Sequence, residues 1–512
     1  MNPASAHEKL VWQLASVLFD QVKVPKELAE VPKAADRLRK DGLSAFWQKL
    51  VEQTAAQQVA MARTAEEKAI AALSGHRVAD ACGHLVSGRN FHLATLVAQI
   101  GGKESMRADM REQLMEWQKS RVLSEFSQPI RVIYELLAGN VCVCDGTKGA
   151  PIEDRIESFS ISKRFGLDWR QAFGLRLWYG ILAREDLDVA VQKFAEDLAQ
   201  DFEPSRPQAW YVEQKIPTLW EDEDLEDRED LLWGLLRLYA FQDSDLEGII
   251  RPENSQLSPL DTRLSWQLSR ALTASGVINY TIDADDKADQ ATLSFASQLN
   301  NEGSWLEAVF VLLHLSSPTV RAKQVQNHLA QHAARIGVED SETFATLLHD
   351  FKIPAPWIWE AKALYMRSVK KDPQGEVECL IRAGSFDEAH RTFAKDVAPK
   401  SIVEADYETL RALLAGFRGK ENAILEWHRG GEIYLDFLQL MDEKKQGMGV
   451  DHAVLERLLA GLPAVVEARN ADFMERVAVQ TMSAMVAKTV VALRKSGEVC
   501  LMSINRDGMN SY

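Results

Sequence analysis

Gly303-Ser304-Trp305-Leu306-Glu307-Ala308 places a glycine just before a large aromatic residue and an alanine three residues after that aromatic. The same order occurs at residues 384–389 and, one residue longer, at residues 88–94 and 166–172. Glycine ends a helix well because it adopts a left-handed conformation without a steric cost at Cβ. The aromatic would then open the next helix and wedge against the previous pair, while the alanine lets two backbones approach. The pattern predicts the joints of stacked helical hairpins.

The spacing of these joints indicates which kind of stack to expect. Gly88 and Gly166 lie 78 positions apart, Gly166 and Gly303 lie 137 apart, and Gly303 and Gly384 lie 81 apart. Tetratricopeptide and ankyrin arrays repeat every 33–34 residues or so, roughly half of the shortest of these distances. The sequence therefore predicts an all-α fold, an irregular α-solenoid of stacked helical hairpins.

Helical patterns fill most of the remaining sequence. No proline interrupts the chain between positions 32 and 129 or between positions 399 and 463, so helices can follow one another there. Apolar residues share one helical face at Leu10, Leu14, Val17 and Leu18. The strand-like runs at residues 141–144 and 277–281 are too isolated to predict a sheet.

Composition and charge narrow the function classes. A chain of 512 residues with 46% hydrophobic and 26% charged residues has ample material for a large core. Its net charge of -16 disfavours general binding to nucleic-acid backbones or acidic lipids. Five cysteines give no disulfide framework. Without a signal-peptide pattern or a run of about 18 apolar residues, we expect a soluble intracellular protein with no membrane span.

Two irregular regions divide the chain into segments. Residues 140–166 carry several glycines, and residues 201–230 carry three prolines followed by an acidic run. Residues 175–182 and 231–241 are apolar nearly all round, and such helices must be covered on more than one side. The predicted segments are residues 1–130, 131–258, 259–400 and 401–512.

No familiar catalytic or metal-binding pattern emerges. Phosphate-binding, dinucleotide-binding, zinc-protease and serine-hydrolase motifs are missing, and the glycine-bearing turns at residues 101–103 and 447–449 do not follow strands. The cluster of His76, Asp80, Cys82, His84 and His92 and the Cys142-x-Cys144 pair lack the spacing of a zinc site. We interpret His328 and His332 as surface residues. The sequence predicts no enzyme, no metal and no cofactor.

Contact surfaces are the remaining functional candidates. The helix at residues 231–241 is either the packed centre of its segment or an exposed face that awaits a partner helix. Its candidate contact residues are Leu231, Trp233, Leu235, Leu238, Tyr239 and Phe241. A second, methionine-rich stripe near the C-terminus suits either core packing or docking, because methionine adapts to irregular surfaces. Its candidate residues are Met474, Met482, Met485 and Val486.

Four of these stretches, in this order, resemble a known family. They are residues 9–20, 165–173, 230–240 and 384–389. The sequence resembles the Y-complex scaffold nucleoporins of the nucleoporin ninety-six type, whose fungal counterpart is the C-terminal half of nucleoporin one-hundred-forty-five. The resemblance covers most of the chain, to about residue 450.

The resemblance implies an ancestral coatomer element with a trunk, a crown and a tail, located at the nuclear pore complex of the nuclear envelope. Residues 1–130 and 259–400 would be the trunk halves, residues 131–258 the crown and residues 401–512 the tail. The implied partners are a stalk nucleoporin (eighty-four or one-hundred-seven type) at the crown and short-arm nucleoporins (eighty-five and one-hundred-twenty or one-hundred-sixty types) at the tail. A β-propeller partner would lie over the trunk, and residues 452–495 would face the hub.

The sequence departs from the family pattern at its start. The strand-forming segment that completes the β-propeller of the small partner does not precede His7, and the self-cleavage junction is absent. The resemblance therefore implies contacts between the propeller and the trunk and leaves strand insertion open. Two alternatives stay open, a vesicle-coat cage subunit and a helical regulatory adaptor of another assembly.

Overall fold

The structure is a computed structural model that describes residues 2–28, 30–147, 155–274, 276, 284–446, 449–467 and 472–496. The strand-like run at residues 277–281, Cys500 and part of the turn at residues 447–449 lie outside the described residues. Helices dominate the described chain, which confirms the all-α prediction. Contacts divide the chain into two compact units, Met1–Gln298 and Leu299–Tyr512.

The first unit is built from helices that pack mainly on their neighbours in sequence. Further packing comes from longer-range pairs, including α1 with α12, α2 with α9 and α3 with α7. The helices are α1 (Pro3–Phe19), α2 (Ala34–Met61), α3 (Ala65–Ser74), α4 (Val78–Ser87), α5 (Phe91–Val97), α6 (Glu104–Lys119), α7 (Gln128–Ala138), α8 (Ile161–Phe165), α9 (Trp169–Leu175), α10 (Leu187–Ala199), α11 (Trp210–Glu213), α12 (Leu231–Ala240), α13 (Leu246–Ile250), α14 (Arg263–Ala274) and α15 (Ala284–Asn301), within which the unit boundary falls.

The second unit continues the same construction. Its helices are α16 (Trp305–Leu312), α17 (Pro318–Gln331), α18 (Glu342–Ala345), α19 (Ala355–Tyr365), α20 (Pro373–Ala383), α21 (Phe386–Thr392), α22 (Ala398–Glu404), α23 (Tyr407–Gly416), α24 (Gly431–Gln446), α25 (His452–Glu467) and α26 (Phe473–Ser496). Short π-helical segments extend α9, α18, α19 and α21.

The glycine joints match the sequence prediction at three of the four copies. Gly166, Gly303 and Gly384 have φ values of +62°, +88° and +81°. At the fourth copy Gly88 has a φ of -81°, and the left-handed residue is Arg89 instead. The prediction of a left-handed glycine was wrong at this copy, where Gly88 provides space instead: a Cβ at this position would lie 2.4 Å from the Cβ of Ala65.

The alanines of the four joints are all buried, as close helix packing requires: Ala94, Ala172, Ala308 and Ala389 are at most 6% exposed. The aromatic residues do not behave alike. Trp169 is buried and Trp305 and Phe386 are half-buried, whereas Phe91 is 62% exposed. The wedge prediction is therefore wrong at Phe91, which opens α5 with its ring in solvent.

A short β-pair corrects the expectation that residues 141–144 stand alone. Strand β1 (Val143–Cys144) pairs antiparallel with β2 (Phe159–Ser160), which directly precedes α8. Cys144 is fully buried in this pair. This two-residue pairing holds together the two ends of the irregular segment between α7 and α8. The sequence pattern did not predict it.

The two units do not coincide with the four predicted segments. The predicted boundaries at residues 130 and 258 fall within the first unit, whose buried core runs from Val11 to Leu272. The boundary at residue 400 falls within the second unit. The trunk, crown and tail assignment therefore remains a prediction.

One helix in the described part of the chain has the length and apolar composition of a membrane span. It is the segment Phe473–Leu493 of α26, of which 33% is buried inside the chain. This segment was not predicted, because charged and polar residues interrupt its apolar sequence. Its buried face packs on α22 and α25. Core helices of soluble proteins can have the same length and composition, so these two properties are weak evidence for a membrane span.

Candidate interaction surfaces

The apolar helix α12 lies inside the first unit. It packs against α1, α10 and α13, and Leu231, Trp233, Leu235 and Leu238 are at most 6% exposed. The Trp233 ring meets the edge of Phe194, 5.1 Å away between centroids. These four predicted contact residues fill the chain's own core, so they have no free area to offer a partner.

A glycine permits this close packing. Gly234 faces α13, and a Cβ built on it would lie 2.5 Å from Cγ2 of Ile249. Ile249 is itself 6% exposed, so it has little room to move away. The backbone of α12 therefore approaches α13 more closely than any other residue type would allow.

The last two predicted contact residues of this helix lie at its C-terminal end. Tyr239 and Phe241 are half-buried against the core. The Tyr239 ring lies 6.2 Å from that of Phe19 and packs under the guanidinium of Arg39. Among the six predicted contact residues of this helix, only these two keep exposed area for a partner, and that role stays a prediction.

A buried ionic network anchors the other end of α12. Asp230, the N-cap, accepts from the backbone N–H of Leu232 at 2.8 Å and from Nη2 of Arg170 at 2.9 Å. Arg170 also donates to Glu213 at 2.8 Å. Asp230 is fully buried, and its charge is balanced by the arginine and by the helix N-terminus. The network joins α9, α11 and α12.

His7 on α1 borders the same network. Its Nε2 lies 3.9 Å from Oδ1 of Asp230 with no hydrogen-bond partner, and its ring stacks on Trp210. Burial lowers the pKa of His7, an effect that Asp230 partly offsets and Arg170 reinforces. His7 is therefore neutral at pH 7, and the first helix is held beside α12 by packing rather than by an ion pair.

A second buried network was not predicted, because residues 175–182 read as apolar all round. Arg176 is fully buried and donates to Asp197 at 2.7 Å and to Glu203 at 3.1 Å. Glu203 also accepts from the hydroxyl of Ser162. These groups bind the segment after α9 to α10 and to the chain that follows. The signal in the sequence was the lone arginine within an apolar run, since a buried cation needs partners.

The second predicted contact stripe is divided between core and surface. On α26, Met482 and Val486 are 1% exposed, whereas Met474 and Met485 are half-buried. Phe473 at the start of the same helix is 67% exposed. One face of α26 therefore belongs to the core of the second unit, and the half-buried methionines lie at its edge.

The two histidines expected at the surface are packed instead. His328 is 8% exposed and its Nε2 lies 3.0 Å from the carbonyl of Trp305. His332 stacks on the Trp305 ring at 5.4 Å. Burial lowers the pKa of both rings. The prediction was wrong because Trp305, the aromatic of the joint at residues 303–308, lies against both histidines, with its carbonyl beside His328 and its ring on His332.

The other polar clusters that the sequence singled out have ordinary packing contacts. His76 stacks on Trp178 at 4.8 Å and lies 3.2 Å from the hydroxyl of Tyr179. Burial raises the pKa of the Cys142 thiol to about 12. Within the described ranges, no three His, Cys, Asp or Glu side chains come together as metal ligands.

An open cleft lies between α5 and α6 in the first unit. It has a volume of about 760 Å³, and its apolar lining comprises Leu96, Met106, Met110, Trp117 and Tyr134. The Trp117 and Tyr134 rings meet edge to face, 4.9 Å apart. Two methionines beside two aromatic rings form an adaptable apolar floor.

A second open cleft, of about 660 Å³, lies between α23 and α24 in the second unit. Leu414, Leu435 and Leu438 line it, and Trp427 lies among its lining residues. Both clefts are wide surface grooves between helices rather than enclosed cavities with converging catalytic groups. The fold and its surfaces define an all-α, solenoid-like protein with open grooves between its helices.

The family is shown by a sequence model. The model of the Nup96 family, described as nuclear protein 96, matches residues 67–365, which is more than half of the chain. The chain belongs to the Nup96 family of nucleoporins.

Similar proteins extend this match over nearly the whole chain. "Nucleoporin NUP145" of Chaetomium thermophilum is 37% identical over 98% of the chain, and "Nucleoporin nup189" of Schizosaccharomyces pombe is 31% identical over 86%. "Nuclear pore complex protein NUP96" of Arabidopsis thaliana is 23% identical over 85%. The chain covers 25%, 24% and 42% of these three proteins, respectively. It thus corresponds to a part of each relative.

Proposed function

We propose that the chain is a structural scaffold subunit of the Y-complex in the nuclear pore coat. In this role it joins other nucleoporins through helical interfaces and so supports nucleocytoplasmic transport of protein and mRNA. The observation that carries the proposal is the 37% identity to a nucleoporin over 98% of the chain. The helical stack with two open clefts supports it, because a scaffold needs extended binding surfaces.

In the first unit, we place the contact with the stalk nucleoporin at the cleft between α5 and α6. Its floor is apolar and open, whereas α12 is covered by its own chain. In this proposal α12 belongs to the core of the unit and makes no direct contact with the stalk nucleoporin. The cleft is lined by residues between positions 92 and 117 and by Tyr134, so the docking surface would include part of the predicted first trunk half as well as the start of the crown.

In the second unit, we place the short-arm nucleoporins at α26. Phe473 and Val491 are 67% and 54% exposed on this helix, and Met474 and Met485 lie at the edge of its buried face. A partner helix that covers these side chains would bury their apolar surface. Each Å² of apolar surface removed from water stabilises the complex by about 25 cal/mol. The β-propeller partner would contact the trunk helices of the first unit.

Affinity purification of the tagged chain from cells tests the proposed function. We expect stalk and short-arm nucleoporins to be recovered with it. Recovery of vesicle-coat subunits, or of an enzyme that the chain recruits, would replace this proposal by one of the two alternatives.

A pair of variants tests the stalk surface. Met106→Glu introduces a charge into the α5–α6 cleft, and we expect it to abolish recovery of the stalk nucleoporin while the short-arm nucleoporins remain. Met61→Glu is the matched control, because Met61 is 73% exposed and does not line the cleft. Equal recovery with both folded variants would exclude this cleft as the contact.

A further inference from the structure

Most of the negative charge of the chain lies in residues 201–250. This stretch contains fourteen Asp and Glu residues but four Lys and Arg residues, a net charge of -10 out of the chain's -16. Eight of the acidic residues fall within residues 221–230, in the connection that leads into α12. Residues 221–227 of this connection, here called the acidic loop, are therefore the most concentrated charge in the sequence.

The carboxylates of this connection divide into paired and free groups. Three of them pair with arginines, and these pairs are Asp222 with Arg228, Glu229 with Arg237 and Asp230 with Arg170. The other five are exposed and make no ion pair with any residue that the structure describes; they are Glu221, Glu223, Asp224, Glu226 and Asp227. Five free charges of one sign within seven residues repel one another, and a cationic partner would relieve that repulsion.

Contacts at the base of the acidic loop hold it in one conformation. Asp222 accepts from Nε and Nη2 of Arg228 at 2.8 and 3.0 Å, so a bidentate pair joins one end of the loop to the residue that follows the other end. Trp220 and Leu225 pack on the small buried core around Tyr211. The free carboxylates are thus displayed on a formed surface, and a partner would not have to order the loop on binding.

Two leucines beside the acidic loop are exposed. Leu219 is 80% exposed and Leu260 is 78% exposed, the highest values among the large apolar side chains that the structure describes. The N–H of Leu219 donates to the carbonyl of Leu257 at 2.9 Å, three residues before Leu260. The reach of three residues and the spacing of hydrogen-bonded residues place the Cα atoms of the two leucines at most about 17 Å apart. Apolar side chains this exposed gain the most when a partner covers them.

We propose that the acidic loop, together with Leu219 and Leu260, binds a basic segment of a partner protein in which apolar side chains stand among lysines and arginines. The cations of this segment face the five free carboxylates, and its apolar side chains cover the two leucines. This binding goes beyond the scaffold function and does not depend on it, because it follows from the charge and exposure of this surface alone.

The chemistry of the surface disfavours other occupants. Nucleic acids and acidic lipids carry charge of the same sign as the loop and would be repelled. A metal ion needs several ligands around one point, whereas no three His, Cys, Asp or Glu side chains converge in that way in the described part of the chain. Carboxylates spread along a loop match a row of cations instead, and the leucines favour a partner that also brings apolar side chains.

Peptide binding to the purified full chain tests this proposal. The probe is a fluorescent synthetic peptide of about ten residues, roughly 33 Å when extended, in which lysines and arginines alternate with leucines. One control peptide has serine in place of every leucine, and a second has glutamate in place of every lysine and arginine. At about 0.15 M salt we expect the probe to bind at least about ten-fold more tightly than either control, as fluorescence anisotropy measures it. Added salt should weaken its binding, because salt screens exposed charges.

A pair of double variants tests the charges of the loop. Glu223→Gln combined with Glu226→Gln removes two of the free carboxylates, and we expect the affinity for the probe to fall at least about five-fold. The matched control combines Glu112→Gln with Glu116→Gln on α6, which removes the same charge from exposed positions outside the loop. It should change the affinity by less than about two-fold. All four positions are exposed, so both proteins keep their fold.

A second pair of variants tests the apolar part of the surface. Leu219→Ser removes the exposed side chain beside the loop, and we expect the affinity for the probe to fall at least about five-fold. Leu425→Ser is the matched control, at a leucine of the second unit that is 76% exposed, and should change the affinity by less than about two-fold. The serine-containing control peptide should bind equally to both variants.

Three results would overturn the proposal. Equal binding of the basic peptides with and without leucine would reduce the surface to a site for counter-ions. Equal affinities of the two glutamine double variants would place the peptide elsewhere on the chain. Displacement of the probe by CaCl2 at constant ionic strength would assign the carboxylates to a metal ion. A chain that recovers nucleoporins from cells but does not bind the probe would keep the scaffold function and lose this surface, so the two failures are distinguishable.

Discussion

The two helices that the sequence selected as docking candidates, α12 and α26, differ in what surrounds them. α12 is packed against three helices of its own unit, and Leu235 and Leu236 are fully buried. α26 packs on α22 and α25 by one face and leaves Phe473 and Val491 largely exposed. A helix that is apolar on all sides is covered by its own chain, whereas an apolar stripe leaves room for a partner.

The largest expected effect is a buried charge in α12. Leu235→Asp places a carboxylate where the leucine is fully buried, and we expect it to reduce the free energy of unfolding by more than about 4 kcal/mol. Val491→Asp on α26 changes a residue that is 54% exposed and should cost less than about 0.5 kcal/mol. Urea denaturation followed by circular dichroism measures both. Similar midpoints for the two variants would break the contrast between these helices.

The ionic anchor of α12 gives the next effect. Asp230→Ala removes the N-cap and leaves Arg170 buried without one of its two carboxylates, and we expect a loss of about 3–5 kcal/mol in unfolding free energy. Glu229→Ala is a matched control at the adjacent position, where the carboxylate is 44% exposed and pairs with Arg237. It should cost at most about 1 kcal/mol. Equal losses would show that Asp230 contributes no more than a surface charge.

The close approach of α12 to α13 gives a smaller effect. Gly234→Ala forces its Cβ against Ile249, and we expect a net loss of about 1–3 kcal/mol. Gly83→Ala in α4 is the control, because a Cβ there meets nothing within 4 Å. That substitution should stabilise the chain by up to about 1 kcal/mol through helix propensity. Thermal unfolding of both variants gives the sign, and stabilisation by Gly234→Ala would contradict the packing described for α12.

The smallest effect is a pH dependence centred on His7. Burial keeps this ring neutral in the folded chain, because its pKa is lowered from the ordinary 6.5. Below about pH 6.5 the unfolded chain takes up a proton that the folded chain does not, so stability falls as pH falls. We expect the unfolding midpoint to decrease from pH 7.5 to pH 5.5, and to decrease less in His7→Gln. Identical slopes of midpoint against pH in the two proteins would exclude His7 as a contributor.

Much of the local structure could be predicted from the sequence. The all-α class, three left-handed glycines and four buried alanines follow from patterns within a few residues, because turn conformation and helical periodicity are local properties. The fourth joint could not be predicted in detail. There Arg89 is the left-handed residue, and Gly88 instead leaves space for Ala65 of the neighbouring helix, a contact that the local pattern does not contain.

The candidate surfaces were less predictable than the fold. Composition alone could not distinguish a core helix from a docking helix at α12, since both present the same residues. Asp230 pairs with Arg170, and His7 lies beside them. These three residues are distant in sequence, so local patterns do not predict their contact. The clefts at α5–α6 and α23–α24 lie between helices, so no single helix carries their pattern.

The sequence by itself determined that this chain is a stack of helical hairpins of the nucleoporin type, because helix joints and family patterns are written in neighbouring residues. Only the tertiary structure decided which apolar faces remain open to partners. Burial depends on which helices pack together, so α12 lies in the core, α26 is half-exposed, and the clefts lie between neighbouring helices.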